Sequence, residues 1–244
     1  MSFIDKEEII RSLRTGGKYY ISFTGDSIAS CEWVHPNWRD IVIYVLQCEF
    51  TKYMDGDWKT VEWGLKGFNF AYDGSTTSDI VTKTDEIMMV NPNLVICLMG
   101  GNDKTYHVTP EQSVENIMKF SKTINDSRVK VAWSNTIASI STQINTKYKP
   151  YTHLFMQIPD TTSFFKIDMF GKYSAFPVEK FFTFISEEIP EENVKEGDPD
   201  VWHPNQLGNS YIAKVILDTI FGIDFDPEKY ITDTLLGKKH PGYQ

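Results

Sequence analysis

Apolar residues recur along this chain in two alternating patterns, one typical of strands and one typical of helices. Short runs rich in β-branched, aromatic and aliphatic residues predict strands within 19–25, 68–77, 93–103, 129–135 and 164–168. Apolar positions at helical spacing predict helices within 5–14, 37–50, 79–90, 110–124, 148–157 and 204–221. Repeated strand-then-helix units predict a parallel sheet with helices on both faces, which is a three-layer α/β/α sandwich.

Neither a low-complexity linker nor an internal repeat divides the sequence, so we predict one domain over residues 1–244 with its core at 18–221. The run NLVICLMGGND, residues 93–103, is almost uniformly apolar and predicts a central strand covered on both faces. Residues 51–67 fit no strand–helix unit and are predicted to form an inserted hairpin or loop. Residues 224–244 are predicted to wrap over the surface.

Composition and charge narrow the classes of function. The 244 residues are 41% hydrophobic and 23% charged, with a formal net charge of -9. This charge argues against a nucleic-acid partner and against an anionic membrane surface. The three cysteines show no spacing typical of a disulfide framework or a zinc site. The charged amino-terminal stretch and the short apolar runs predict a soluble, cytoplasmic protein without a signal peptide.

Residues with catalytic chemistry follow the predicted strands, where ligands bind in such a sheet. Four short polar stretches stand at or beside carboxyl ends of strands: GDS at 25–27, DGSTT at 73–77, GGND at 100–103 and DVWH at 200–203. Any one of them alone is typical of a turn or a helix cap. Together, in this order and separated by α/β units, they indicate a catalytic site.

The first and last of these stretches predict a nucleophile with its base. Ser27 needs a base, because a neutral hydroxyl is a poor nucleophile. His203 is the candidate base, and Asp200, three residues before it, would hold its ring and stabilise the imidazolium. Asp198 is the alternative carboxylate, and the spacing favours Asp200.

The same stretches supply hydrogen-bond donors for the oxyanion of a tetrahedral intermediate. We expect these donors to be the backbone N–H groups of Ser27 and Gly74 and the side-chain amide of Asn102. A glycine at position 74 permits close approach of the substrate. Asp26 and Asp103 are interpreted as short acceptors that hold their loops in place.

These four blocks resemble the motifs of the SGNH hydrolases, also called the GDSL esterase/lipase family, over about residues 18–221. The resemblance implies a flavodoxin-like sheet of five strands in the order 2-1-3-4-5. It also implies hydrolysis of carboxylic esters through an acyl-enzyme on Ser27, with no metal or organic cofactor. The second block departs from the family pattern N-x-G-x-x-G, because Ala71 occupies the position of the first glycine.

The substrate is expected to be a small-molecule or carbohydrate ester with a short acyl group, such as an O-acetyl group on a sugar. Asp73, His107 and Trp202 are the candidate substrate-binding residues, with an exposed loop position as the alternative for His107. Trp202 and the tryptophans at 33, 38, 58 and 63 are candidates for a sugar-binding wall or for core packing. A thioesterase or lysophospholipase-like activity is the alternative on the same residues, and a catalytically silent glycan-binding module is the alternative from another class.

Overall fold

The computed structural model describes residues 3–30, 33–190 and 194–238. Its centre is a parallel sheet of five strands in the order β2-β1-β3-β4-β5, as predicted. The strands are β1 (Tyr19–Gly25), β2 (Leu65–Ala71), β3 (Leu94–Leu98), β4 (Lys130–Ser134) and β5 (Phe164–Ile167). The three-layer α/β/α prediction is therefore confirmed.

Helices cover both faces of the sheet. They are α1 (Lys6–Arg14), α2 (Trp38–Thr51), α3 (Trp58–Gly64), α4 (Thr77–Thr82), α5 (Thr84–Met88), α6 (Gly101–Thr105), α7 (Pro110–Asn125), α8 (Thr142–Met156), α9 (Met169–Ser174), α10 (Gln206–Ile216) and α11 (Pro227–Leu235). Buried residues of α1, α2, α9 and α10 pack in one core cluster, and those of α4, α5, α7 and α8 pack in the other. Every described helix falls short of the length or the apolar character needed to cross a membrane.

The central position of β3 in the sheet explains why its sequence is apolar throughout. Leu94, Ile96 and Leu98 belong to the core cluster on one face of the sheet. Val95 and Cys97 belong to the cluster on the opposite face. Successive side chains of a strand point to opposite faces, so a strand covered on both faces has no polar side.

Segment 51–67 corrects one prediction, because it forms neither a hairpin nor a loop. After α2 the chain makes a 3₁₀ turn at Lys52–Met54 and then forms α3. The Asp57 carboxylate caps α3 by accepting the backbone N–H groups of Lys59 and Thr60. The segment fits no strand–helix unit by its pattern, and the Asp57 cap together with burial of Val61 favours the helix.

Other helix boundaries also differ from the prediction. Residues 79–90 contain the end of α4 and a separate α5, and β-branched residues around the break weaken a continuous helix. Helix α8 begins six residues before the predicted start at 148, because Ser141 caps it by accepting the N–H of Ile144. The predicted final helix consists of α10 and a π-helical continuation at Leu217–Phe221, which reaches the predicted end. Within residues 224–244, predicted to wrap over the surface, α11 is anchored by the buried Tyr230. Residues 239–244 of this predicted segment lie outside the described residues.

The strand register determines where the loops of the candidate site meet. The last residues of neighbouring strands are paired: Gly25 with Ala71 and with Leu98, and Leu98 with Ser134. The loops that leave β1, β2, β3 and β4 therefore start level with one another at one edge of the sheet. Side chains from these four loops meet there.

Candidate active site

Ser27 lies on a tight turn directly after β1. Gly25 ends the strand with a φ of 150°, and a Cβ at this position would lie 2.1 Å from the backbone oxygen of Leu98. Only glycine fits here, because β1 and β3 approach closely. The backbone oxygen of Asp26 then accepts the N–H groups of Ala29 and Ser30, which closes the turn. The turn presents Ser27 at the edge of the sheet.

Ser27, His203 and Asp200 form one hydrogen-bonded series. His203 Nε2 lies 2.9 Å from Ser27 Oγ, and His203 Nδ1 lies 2.6 Å from Asp200 Oδ2. Asp200 is 1% exposed, and its Oδ1 accepts the backbone N–H groups of Trp202 at 2.8 Å and His203 at 2.9 Å. The carboxylate thus holds both the ring and the backbone of the base.

The protonation of Asp200 suits this arrangement. Burial raises the pKa of Asp200, but the hydrogen bond and the charge of His203 and the two backbone N–H groups outweigh burial, so the net pKa lies below its usual value. An ionised Asp200 only accepts hydrogen bonds, so the proton of the His203 ring lies on Nδ1. The other ring nitrogen, Nε2, then accepts the hydrogen of Ser27 Oγ.

The rival carboxylate Asp198 is engaged elsewhere. Its Oδ2 accepts the backbone N–H of Lys195 at 2.9 Å, and its backbone pairs with Ser186 in an exposed turn. The carboxylate that contacts His203 is that of Asp200, as the spacing favours.

One face of the His203 ring is covered by Trp33. The two rings stack with centroids 3.8 Å apart and an interplanar angle of 4°. The indole Nε1–H of Trp33 donates to Asp73 Oδ1 at 3.3 Å, which fixes the indole in turn. Asp73, predicted to bind substrate, therefore also positions the tryptophan that restrains the base. Sequence reasoning missed this contact, for which an aromatic residue six positions after Ser27 was the available signal.

The predicted oxyanion donors lie around the same opening. Gly74 adopts a left-handed φ of 68° in the loop after β2. Asn102 Nδ2 donates to the backbone oxygen of Ser75 at 3.0 Å, and Ser75 Oγ donates to the oxygen of Gly25 at 3.0 Å. An amide nitrogen carries two hydrogens, so the first bond fixes Asn102 and leaves one hydrogen for a ligand.

A cavity of about 220 Å³ joins these groups. Its lining includes Ser27, His203, Gly74, Asn102, Asp73, Trp202 and Trp33. His107 is not part of the lining: it is exposed beyond the end of α6, which contradicts its assignment as a substrate contact. An exposed loop position was the alternative for this residue.

The tryptophans considered for a sugar-binding wall lie in three different environments. Trp33 and Trp202 line the cavity. Trp38 is fully buried and packs edge-on against Phe23 in the core. Trp58 and Trp63 are 49% and 68% exposed on α3, which leads into the amino end of β2 and so lies away from the site.

Two buried aspartates hold the loops of the site, as expected. Asp103 accepts the backbone N–H and the hydroxyl of Thr77, both at 2.8 Å, and so joins the loop after β3 to the start of α4. Asp26 accepts the N–H of Ile28 at 3.1 Å. Burial raises the pKa of both carboxyls, that of Asp26 to about 6.

We expect Asp26→Asn to change how stability depends on pH. Below about pH 4 Asp26 is protonated in both states, whereas between about pH 4 and 6 it ionises first in the unfolded chain, so native stability falls as pH rises. At pH 7 the raised pKa corresponds to a destabilisation on the order of 3 kcal/mol, which the neutral amide lacks. Urea unfolding at pH 4 and pH 7 checks this result: the variant should gain stability relative to wild type only at the higher pH. An equal difference at both pH values contradicts the prediction.

The fold and the site together define a class of protein. A hydroxyl, an imidazole and a buried carboxylate in hydrogen-bonded series, at the carboxyl edge of a parallel α/β sheet, are the arrangement of serine hydrolases. The chain belongs to the GDSL-like lipase/acylhydrolase family, which it matches over residues 21–216. It is accordingly a carboxylic ester hydrolase.

Solved structures with the same fold agree with this membership. A lipase/acylhydrolase from Enterococcus faecalis aligns with a TM-score of 0.57 and 18% identity, covering 82% of this chain and 93% of its own. A catalytic mutant of Axe2, an acetylxylan esterase from Geobacillus stearothermophilus, aligns with a TM-score of 0.61 and 15% identity, covering 86% and 95%. The structure of TesA aligns with a TM-score of 0.60 and 13% identity, covering 83% and 98%. No curated protein matches the chain significantly in sequence.

Proposed function

We propose that the protein hydrolyses esters of short acyl groups, such as O-acetyl groups on carbohydrates, through an acyl-enzyme on Ser27. The observation that carries the proposal is the series Ser27–His203–Asp200, which opens into a small cavity with polar, aromatic and aliphatic walls. The family motifs contain the same three residues and Asn102, which supports the proposal.

In the proposed mechanism Ser27 Oγ attacks the ester carbonyl carbon while His203 Nε2 takes its proton. Asp200 stabilises the imidazolium that forms. The oxygen of the tetrahedral intermediate accepts hydrogen bonds from the backbone N–H groups of Ser27 and Gly74 and from the Asn102 amide. His203 then protonates the departing alcohol, and water, activated by the same base, releases the acid from Ser27.

The size and chemistry of the cavity support a short acyl group. Its volume of about 220 Å³ lies below the roughly 300–1,000 Å³ typical of sites for drug-sized ligands. A long acyl chain needs many aliphatic contacts, since each buried CH₂ contributes only about 0.8 kcal/mol. The lining is mixed: Ile28, Ile137, Ile189 and Val201 are aliphatic, whereas Asp73, Asn102, Thr136 and Ser139 are polar. The small volume is therefore the main support for a short acyl group.

The alcohol half of the substrate is proposed to be a carbohydrate. Trp33 and Trp202 offer aromatic surface beside the polar Asp73, a combination suited to a sugar ring. The fold shared with the acetylxylan esterase Axe2 is consistent with this choice. The complete series at Ser27 and membership of a hydrolase family argue against a silent glycan-binding module. The cytoplasmic location and the single-domain organisation stay predictions.

A series of p-nitrophenyl esters tests the acyl preference. We expect kcat/KM to fall steeply from acetate to octanoate, because the cavity cannot enclose the longer chain. Ser27→Ala provides the background rate for each ester. A kcat/KM that stays level or rises with chain length would reject the short-acyl proposal and favour the thioesterase or lysophospholipase-like alternative.

A further inference from the structure

The stack of Trp33 on His203 contacts a part of the base that its hydrogen bonds do not reach. Asp200 and Ser27 bond to the two ring nitrogens at 2.6 Å and 2.9 Å, and both bonds lie at the edge of the imidazole ring. The indole of Trp33 instead covers a face of that ring, with the centroids 3.8 Å apart and an interplanar angle of 4°. The face contact can therefore act on His203 separately from the two hydrogen bonds.

The charge of the His203 ring changes in the proposed mechanism. The ring is neutral before the reaction and becomes a cation when it takes the proton of Ser27. A cation within about 6 Å of an aromatic centroid is attracted by the negative face of the ring, and tryptophan is the best side chain for this contact. Only 12% of the His203 side chain is exposed, so water screens the attraction weakly. The stack is thus stronger after proton transfer than before it.

The indole is itself held by a carboxylate. Trp33 Nε1 donates to Asp73 Oδ1 at 3.3 Å, so the loop after β2 fixes the indole against the base. A negative charge on the acceptor also polarises the indole and increases the electron density of its ring. This polarisation strengthens the attraction between the ring face and a cation. Trp33 and Asp73 thus form one hydrogen-bonded pair beside His203.

We propose that Trp33, held by Asp73, stabilises the imidazolium form of His203 in the transition states of acylation and deacylation. This inference rests on the proposed function, because it requires His203 to be the base. The imidazolium forms in both half-reactions, so the stack lowers both barriers and raises kcat whichever step is slower. Trp33 is a positioning residue that acts through His203, and Asp73 affects the rate through Trp33.

Two substitutions at position 33 separate an aromatic face from an apolar contact. Rates are measured on the p-nitrophenyl ester that wild type cleaves fastest, so the result does not depend on the acyl preference. Trp33→Leu keeps an apolar side chain but removes the aromatic face, and we expect kcat to fall about tenfold with KM within about twofold of wild type. Trp33→Phe keeps an aromatic face and should lose no more than about threefold in kcat. Equal losses in the two variants, or a loss that appears in KM alone, would overturn the proposal.

Fluorinated tryptophan at position 33 tests the charge effect while the packing is kept. Fluorine withdraws electron density from the indole face and barely changes the shape of the ring. Site-specific incorporation of 5-fluorotryptophan and then of 5,6,7-trifluorotryptophan should lower kcat stepwise, by about fivefold for the trifluorinated ring. The same fluorinated residues at position 63, where the native tryptophan is 68% exposed on α3, should leave kcat unchanged. A kcat that does not respond to fluorination at position 33 would mean that the stack is only a packing contact.

A double-mutant cycle tests whether Asp73 acts through Trp33. Asp73→Ala removes the acceptor of the indole N–H, whereas Asp73→Asn keeps an acceptor and removes only the charge. We expect kcat to fall about threefold in Asp73→Ala and less in Asp73→Asn, and we expect Asp73→Ala to have no further effect in a Trp33→Leu background. A loss that persists in that background would show that Asp73 acts elsewhere, which contradicts its part in the proposal.

Ser27→Ala and His203→Ala separate failure of this inference from failure of the proposed function. The proposed mechanism requires both variants to lose nearly all activity on the same ester. If His203→Ala keeps most of the wild-type rate, the mechanism fails and the inference fails with it. If both variants are inactive while Trp33→Leu and the fluorinated proteins keep the wild-type kcat, the mechanism stands and only the role of Trp33 is rejected.

Discussion

Replacing Asp200 by Asn should lower kcat by about 10⁴-fold while leaving the fold intact. The side-chain oxygen of the substituted amide can still accept the N–H groups that now reach Asp200 Oδ1, so the turn at 200–203 is kept. The amide nitrogen, however, can donate to His203 Nδ1, which moves the ring proton to Nε2. A protonated Nε2 cannot take the proton of Ser27 Oγ, which lies 2.9 Å away. Steady-state kinetics on p-nitrophenyl acetate, together with a melting curve, check the result.

The neighbouring Asp198 provides the matched control for this experiment. Asp198→Asn makes the same chemical change two residues away, on a carboxylate that contacts the backbone of Lys195. Its activity should stay close to wild type. A large loss in Asp198→Asn with near-normal activity in Asp200→Asn would assign the carboxylate of the series to Asp198 and contradict the geometry described above.

Asn102→Ala should lower kcat by about 10²–10³-fold and leave KM nearly unchanged. In the proposed mechanism, the amide hydrogen that Ser75 does not use stabilises charge that develops only in the transition state. Its loss therefore raises the barrier without weakening ground-state binding. Initial-rate measurements over a range of p-nitrophenyl acetate concentrations separate kcat from KM.

Asn102 also holds the backbone oxygen of Ser75, so a control for this structural role is needed. Asn116 supplies it, because its side-chain amide bonds to the hydroxyls of Thr77 and Ser78 in the adjoining segment but does not line the cavity. Asn116→Ala should keep kcat near the wild-type value. A normal kcat with a raised KM in Asn102→Ala would mean that this amide binds substrate instead of stabilising the oxyanion.

Elements whose pattern depends on local residues were predictable from the sequence. Strand β1 has the predicted bounds, since a β-rich run ends at a glycine that the close approach to β3 requires. Strand β3 was predictable as a central strand because both of its faces are buried. Helix α7 begins as expected, with the Thr109 hydroxyl capping it and Pro110 in its first turn.

Elements stabilised by distant contacts were not predictable in the same way. Helix α11 depends on Tyr230, which packs against Tyr44 of α2 almost two hundred residues away. Helix α3 lies in a segment that fits no strand–helix unit by its pattern, and burial of Val61 helps to stabilise it. The intrinsic helix or strand propensity of a residue carries no information about either contact.

The candidate site shows the same division. The motif spacing predicted that Ser27, Asp200 and His203 would meet, and the structure brings them together. The stack of Trp33 on His203 joins two loops that are distant in the sequence, so the aromatic residue six positions after Ser27 is a local signal that does not identify its partner. His107 follows Asn102 closely in the chain, but the exit from α6 points it to solvent.

The short segment 200–203 contains the acid, the base and the bonds that hold one to the other. Asp200 binds the ring and the backbone N–H of His203, while its own N–H donates to the oxygen of Phe184. These bonds join the acid and the base within one short segment, so a shift of the segment would move both residues together. If this segment moved as a unit, the contact with Ser27 would lengthen while the Asp200–His203 pair stayed intact. Grafting residues 200–203 between related chains would likewise transfer an acid and a base that are already aligned. The distance from His203 to the serine would then be the one quantity left to adjust.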